Sequence, residues 1–138
     1  MAKRLGQHQA PSSAWIRPAR RLALYIRDGF RCLYCHQDLR NAAPADLTLD
    51  HLLSKSEHAA LSDETRQEFG SVHDSHNLVL ACRSCNSARQ DKPWTTFASL
   101  DAQARILAAR VQPVNVALAK AIIAGEAGDP RLEANRGE

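Results

Sequence analysis

The chain has 138 residues, 44% of them hydrophobic but only 5% aromatic, and 23 are alanine: room for one domain, with a thin core that needs a staple such as a metal, disulfides or a partner. Its net charge runs from +6 over residues 1–40 through −5 over 41–81 to +2 over 82–138, a pattern suited to holding a polyanion around a cation-binding centre. No apolar stretch follows Lys3 and Arg4, and the longest apolar run, Leu78–Cys82, is too short to cross a bilayer; the secretory and membrane classes are excluded and a cytoplasmic protein is expected.

In chain order, residues 1–16 read as a basic arm. Pro18 to Asp28 reads as a helix, with Pro18 at its first position, Gly29 just past its end, and Ala19, Leu22, Ala23 and Ile26 as its apolar stripe. Arg20, Arg21 and Arg27 lie off that stripe, free for solvent or phosphate. Leu47–His51 and Asn77–Ala81 read as short strands. Residues 54–75, rich in polar side chains, are expected to be a long loop with at most one helical turn; such a loop in a compact domain is often functional. A short helix is expected from Asn86 to Lys92. Beyond Pro93 the chain is alanine-rich and helical, with Leu100, Ala104, Leu107 and Val111 on one face. Pro113 breaks that helix, and a second one carries Val114, Ala117, Leu118, Ala121 and Ile122 on its apolar face, ending near Gly125. The two helices are expected to cover the core, with a dimer seam as the alternative. The chain thus divides into an arm (1–16), a core (17–94), a helical extension (95–125) and a polar tail (126–138).

Cys32/Cys35 and Cys82/Cys85 form two C-x-x-C pairs with 46 residues between them. The two-residue spacing lets both thiolates of a pair face one ion, and two such knuckles complete a closed tetrahedral zinc site. That zinc would be structural, and its binding would contribute to folding. The alternatives are a redox dithiol or four unrelated cysteines; a redox motif needs one pair only, in a thioredoxin-like context that is missing here.

The run Arg27-Asp28-Gly29-Phe30-Arg31-Cys32-Leu33-Tyr34-Cys35, then Leu49-Asp50-His51, then His76-Asn77-Leu78-Val79-Leu80-Ala81-Cys82-Arg83-Ser84-Cys85-Asn86 resembles the zinc-containing HNH endonucleases. The resemblance covers residues 27–92 with its elements in the family's order. It implies an α+β chain built on a ββα-metal fold, a two-stranded hairpin with a helix packed on it and a divalent ion between. By position, His51 matches the general base, Asp50 the carboxylate ligand of the catalytic ion, Asn77 the middle residue that holds the loop and orients the histidine, and Asn86 the second metal ligand. Asn86 could instead only cap the following helix.

The chemistry agrees. A neutral imidazole with a pKa near ~6.5 can take a proton from water at physiological pH. A carboxylate and an amide oxygen suit Mg²⁺ or Mn²⁺ better than tightly held zinc. Adjacent strand residues point to opposite faces, so Asp50 and His51 serve one site only if the strand ends or twists there. Arg83, Arg89 and Lys92, around the second knuckle, are candidate phosphate anchors. His58 and His73 read as surface residues, His76 is noted for its place beside Asn77, and Tyr34 and Trp94 read as packing residues. The chain departs from the family after His51: Leu52-Leu53-Ser54-Lys55-Ser56 replaces the proline and Gly-Gly of many members, and Glu57, Asp63, Glu64 and Glu68 follow. The expected partner is double-stranded DNA, with the protein a monomer or homodimer, within or outside a DNA-processing assembly. The competing readings are a non-catalytic zinc module that binds nucleic acid or protein, and an interaction protein acting through its alanine-rich helices.

Overall fold

The computed structural model describes residues 15–132; residues 1–14 of the expected arm and 133–138 of the expected tail lie outside the described residues. Two strands, β1 (Leu47–His51) and β2 (Leu78–Cys82), pair antiparallel from Leu47↔Cys82 to His51↔Leu78. All five residues of β2 are buried, which matches its unbroken apolar run and makes it the centre of the core. Helix α1 (Pro18–Arg27) has Pro18 in its first turn and Asp28 as its C-cap, followed by Gly29 at φ 71°, the left-handed turn that glycine adopts without strain.

Between the strands the expected loop is instead two short helices, α2 (Lys55–Ala59) and α3 (Asp63–Phe69). Ser54 accepts from the Glu57 amide while the Glu57 carboxylate accepts from the Ser54 amide, a complete capping box, and Ser62 caps α3 through the Thr65 amide. These caps were present in the sequence as Ser54-x-x-Glu57 and Ser62-x-x-Thr65. They also account for much of the acidic stretch: Glu57, Asp63 and Glu64 occupy first turns, where the helix dipole favours carboxylates.

Helix α4 (Arg83–Arg89) begins three residues before the expected start, because the second knuckle forms its first turn, with Cys82 Sγ capping the Cys85 amide. It packs on both strands to complete the ββα unit. Then come α5 (Trp94–Phe97), α6 (Leu100–Ala109) and α7 (Val116–Ile123), the last two capped by Ser99 and Asn115. Helix α7 packs on α1, and β2 lies against α1 as well. This explains why α1 buries Leu24 and Tyr25 beyond the expected stripe. Helix α6 corrects the sequence expectation. Its Leu100 and Leu107 are exposed, Leu100 at 82%, as is Val111 just past its end, and the buried face is Ala102 and Ile106, both at 0%. In an alanine-rich helix the small side chains allow close approach on either side, so the larger apolar residues did not mark the buried one. Among the described residues no helix is long and apolar enough to cross a membrane.

Candidate active site

The two knuckles meet. The four cysteine Sγ atoms lie within 4.8 Å of one another, with Cys35 and Cys82 at 3.9 Å. A tetrahedral zinc with Zn–S bonds of about 2.3 Å separates its sulfurs by about 3.8 Å, so the cluster has the spacing of a site that could hold zinc. The first knuckle hangs on β2, the Leu33 amide donating to the Leu80 carbonyl at 3.0 Å. The second is continuous with β2 and α4. Burial pushes the Cys35 and Cys85 thiols up, and neighbouring thiols of the cluster add to it; a cation in their midst would reverse that balance.

Strand β1 ends at His51, and its pairing is regular to that residue. Asp50 faces α4 and the first knuckle: Tyr34 Oη of the knuckle donates to its Oδ2 at 2.5 Å, and Arg89 Nη1 of α4 donates to the same oxygen at 2.6 Å. Among the described residues nothing donates to Oδ1. Burial pushes the Asp50 carboxyl above the usual carboxylate range, and these two donors offset that only in part. The same Tyr34 hydroxyl is pushed up by burial and by the Asp50 charge, so it stays a donor.

Arg89, expected as a phosphate anchor, lies inside the protein. Its side chain is buried, and four of its five N–H groups bond Asp50, the His51 and Leu52 carbonyls and the Lys92 carbonyl. Arg27, expected off the apolar stripe and free, also has its side chain buried: it pairs with Asp28 and donates to the Ser75 and Leu78 carbonyls. Arg20 donates to the His73 carbonyl at 2.5 Å and Arg21 to Tyr25 Oη at 2.8 Å. Arg83 and Lys92 are exposed, Arg83 standing 3.9 Å from Asp46.

Asn77 is fully buried and joins the two sides of the loop. Its Oδ1 accepts from the Leu53 amide, and its Nδ2 donates to the Leu53 and Val72 carbonyls. Asn86 Nδ2 donates to Thr48 Oγ1 at 3.0 Å, and Thr48 Oγ1 donates to the Ala81 carbonyl at 2.6 Å. A hydroxyl has one proton. With that proton given to Ala81, Thr48 can only accept from Asn86, so the amide is oriented with Nδ2 inward and Oδ1 left for another partner.

His51 lies on the other face of β1. Its Nε2 is 2.9 Å from His73 Nδ1, and Trp15 packs against both rings, with centroid distances of 4.9 and 4.8 Å. His73, expected at the surface, is thus part of the site, as is Trp15 from the end of the expected arm. The faces converge at the unpaired edge of β1. A cleft of about 670 Å³ is lined by Trp15, Arg21, Tyr25, His51 and Asn86 among others. A second of about 500 Å³ is lined by Asp50, His51, Lys55, Asn86 and Arg89 among others. His51 and Asn86 border both.

Residues 32–92 match the model of the HNH endonuclease family. The match spans the four cysteines that could hold a zinc ion. No curated protein and no solved structure matches the chain. The matched stretch takes in both knuckles, β1, β2 and α4, and therefore Asp50, His51, His73, Asn77, Asn86 and Arg89, while Trp15, Arg21 and Tyr25 of the first cleft precede it. Burial, chiefly, holds the His51 imidazole down at about 4, with His73, Lys55 and Arg89 adding to the shift, so the ring is neutral at physiological pH. Thr48, Tyr34 and His73 had no motif to announce them: their partners are 38, 16 and 22 positions away in the chain. His58 bonds the Gly70 carbonyl, and His76 lies against Phe69; neither lines the two clefts.

Proposed function

We propose that this protein is a metal-dependent endonuclease that hydrolyses phosphodiester bonds of double-stranded DNA, with residues 17–94 as its catalytic core and 95–125 as a helical extension of it. The observation that carries this reading is the placement of Asp50, His51 and Asn86 around one cleft at the open edge of β1, within a domain of a nuclease family. His51, neutral and half-buried, takes the proton of the attacking water. Asn77 holds the loop that follows β1. Asp50 and Asn86 offer two hard oxygens, Oδ1 of each, to Mg²⁺ or Mn²⁺. Such an ion supplies positive charge to the scissile phosphate and the leaving oxygen. The four cysteines hold a structural zinc and take no part in the chemistry. Arg83 and Lys92, both exposed, contact phosphate, and the protein acts in the cytoplasm.

The test is supercoiled plasmid with the purified protein and Mg²⁺ or Mn²⁺, beside an EDTA control and His51→Ala. Wild type should nick or cut, and His51→Ala should lose about 10²–10⁴-fold in rate while keeping one zinc per chain. Cleavage that survives in His51→Ala sinks the mechanism.

One observation favours a second reading. Two strong donors already fill Asp50 Oδ2, as they would in a zinc module that binds nucleic acid without cutting it. DNA retained in a gel shift, with no cleavage under either metal, would establish that reading instead.

A further inference from the structure

His73 has no part in the chemistry described so far, yet it is held as firmly as any residue of the site. Its amide donates to Ser71 Oγ at 3.0 Å, its carbonyl accepts from Arg20, and the preceding Val72 carbonyl accepts from the buried Asn77. Gly70, at φ 89°, starts this turn where a Cβ would collide with the Asp74 carboxylate. The Trp15 ring then stacks on the His73 imidazole, 26° from parallel, and covers His51 as well. The result is a ring whose Nδ1 is fixed 2.9 Å from His51 Nε2.

A bond between two neutral imidazoles contains one proton, and it can be drawn in two ways. If His73 donates from Nδ1, the lone pair of His51 Nε2 is occupied and the one ring proton of His51 sits on Nδ1. Neither His51 nitrogen could then accept a proton from water. If His51 donates from Nε2, its Nδ1 has the lone pair, and His73 has its own proton on Nε2. Only the second arrangement leaves a base.

We infer that His73 is a positioning residue for DNA hydrolysis: its Nδ1 accepts the Nε2–H of His51, fixing the His51 tautomer and making Nδ1 the basic atom. When that atom takes the water's proton, the Nε2–H···Nδ1 bond stays in place and strengthens, because its donor is now an imidazolium. No ring has to turn. This inference rests on the nuclease reading for its consequence, though the tautomer itself does not depend on activity.

Two variants of the full-length, zinc-loaded protein test it. His73→Asn keeps a side-chain acceptor close to where Nδ1 sits, whereas His73→Leu keeps the bulk and has none. In plasmid nicking with Mn²⁺, His73→Leu should lower kcat about 10–100-fold with KM for DNA unchanged, and His73→Asn should recover most of it. Nitrogen NMR of the histidine rings, recorded on the same proteins without DNA, should show wild-type His51 protonated at Nε2 and His73→Leu as a mixture of tautomers. The inference is overturned if wild-type His51 has its proton on Nδ1, or if His73→Leu turns over DNA within about twofold of wild type. If the wild type cuts no DNA with any metal, the nuclease reading fails, and the ring spectra still decide the tautomer.

Discussion

Thr48 donates its one hydroxyl proton to the Ala81 carbonyl, and the orientation of Asn86 follows from that. Thr48→Val keeps the shape and removes the acceptor, so the Asn86 amide is free to turn. Removing a partner that orients a metal ligand typically weakens affinity 10–100-fold; a loss of about that size is expected in the Mn²⁺ concentration needed for half-maximal cleavage, with zinc content unchanged. His51 gives a second expectation at this scale. Its folded pKa of about 4 lies below the ordinary value of ~6.5, so the imidazole remains an acceptor as the pH falls below neutrality. The acid limb of kcat/KM should have its midpoint below ~6.5, and a midpoint at or above that value would count against His51 as the base. The same shift makes His51 stabilise the fold fully above its unfolded pKa, a contribution lost as pH falls through about 4. Asp50, His51, Asn77 and Asn86 were readable because a motif fixes their order along the chain. Thr48, Tyr34 and His73 act through partners that only the fold brings near, so no spacing could show them.

Helices set the next scale, and α6 separates two neighbours in sequence. Ile106 is fully buried and Leu107 about half exposed. Ile106→Ala should cost about 2–5 kcal/mol in urea unfolding, while Leu107→Ala should stay within about 0.5 kcal/mol. The reverse order would restore the face expected from hydrophobicity alone. The strands and α1 were legible because their signals are local: an unbroken apolar run for β2, Pro18 and Gly29 as the bounds of α1. The 54–75 stretch was misread as loop because its polar composition outweighed two short capping patterns. The surroundings of Arg89 were hidden for the opposite reason. A cation beside a knuckle looks like a phosphate anchor until four acceptors are found around it, three of them the Asp50 carboxylate and the His51 and Leu52 carbonyls at the end of β1. There it ties α4 to the strand that bears the site.

At the scale of the molecule, the cysteine cluster and the core share β2. Its Leu78, Val79, Leu80 and Ala81 are fully buried, and the strand runs straight into Cys82. Removing zinc with a strong chelator should therefore abolish the cooperative unfolding transition, not merely activity, as followed by circular dichroism with and without restored zinc. An unchanged transition after quantitative zinc removal would make the cysteines dispensable to the fold. Cys35 and Cys82 are 47 positions apart in the chain, so a shared ion closes a large loop containing β1, α2 and α3. On the chain-closure relation for a cross-link, a loop of that size restrains the unfolded chain by about 4 kcal/mol.

Such a loop need not open all at once. Helices α2 and α3 contain no buried residue, whereas β2 is buried along its whole length, so their amide protons should exchange with solvent long before those of the strand. The excursion has fixed ends: Arg89 grips the chain at His51 and Leu52, and Asn77 clasps Leu53 to Val72. The segment that borders the clefts can therefore breathe as a separate unit, opening and reclosing while β1 and β2 keep their register.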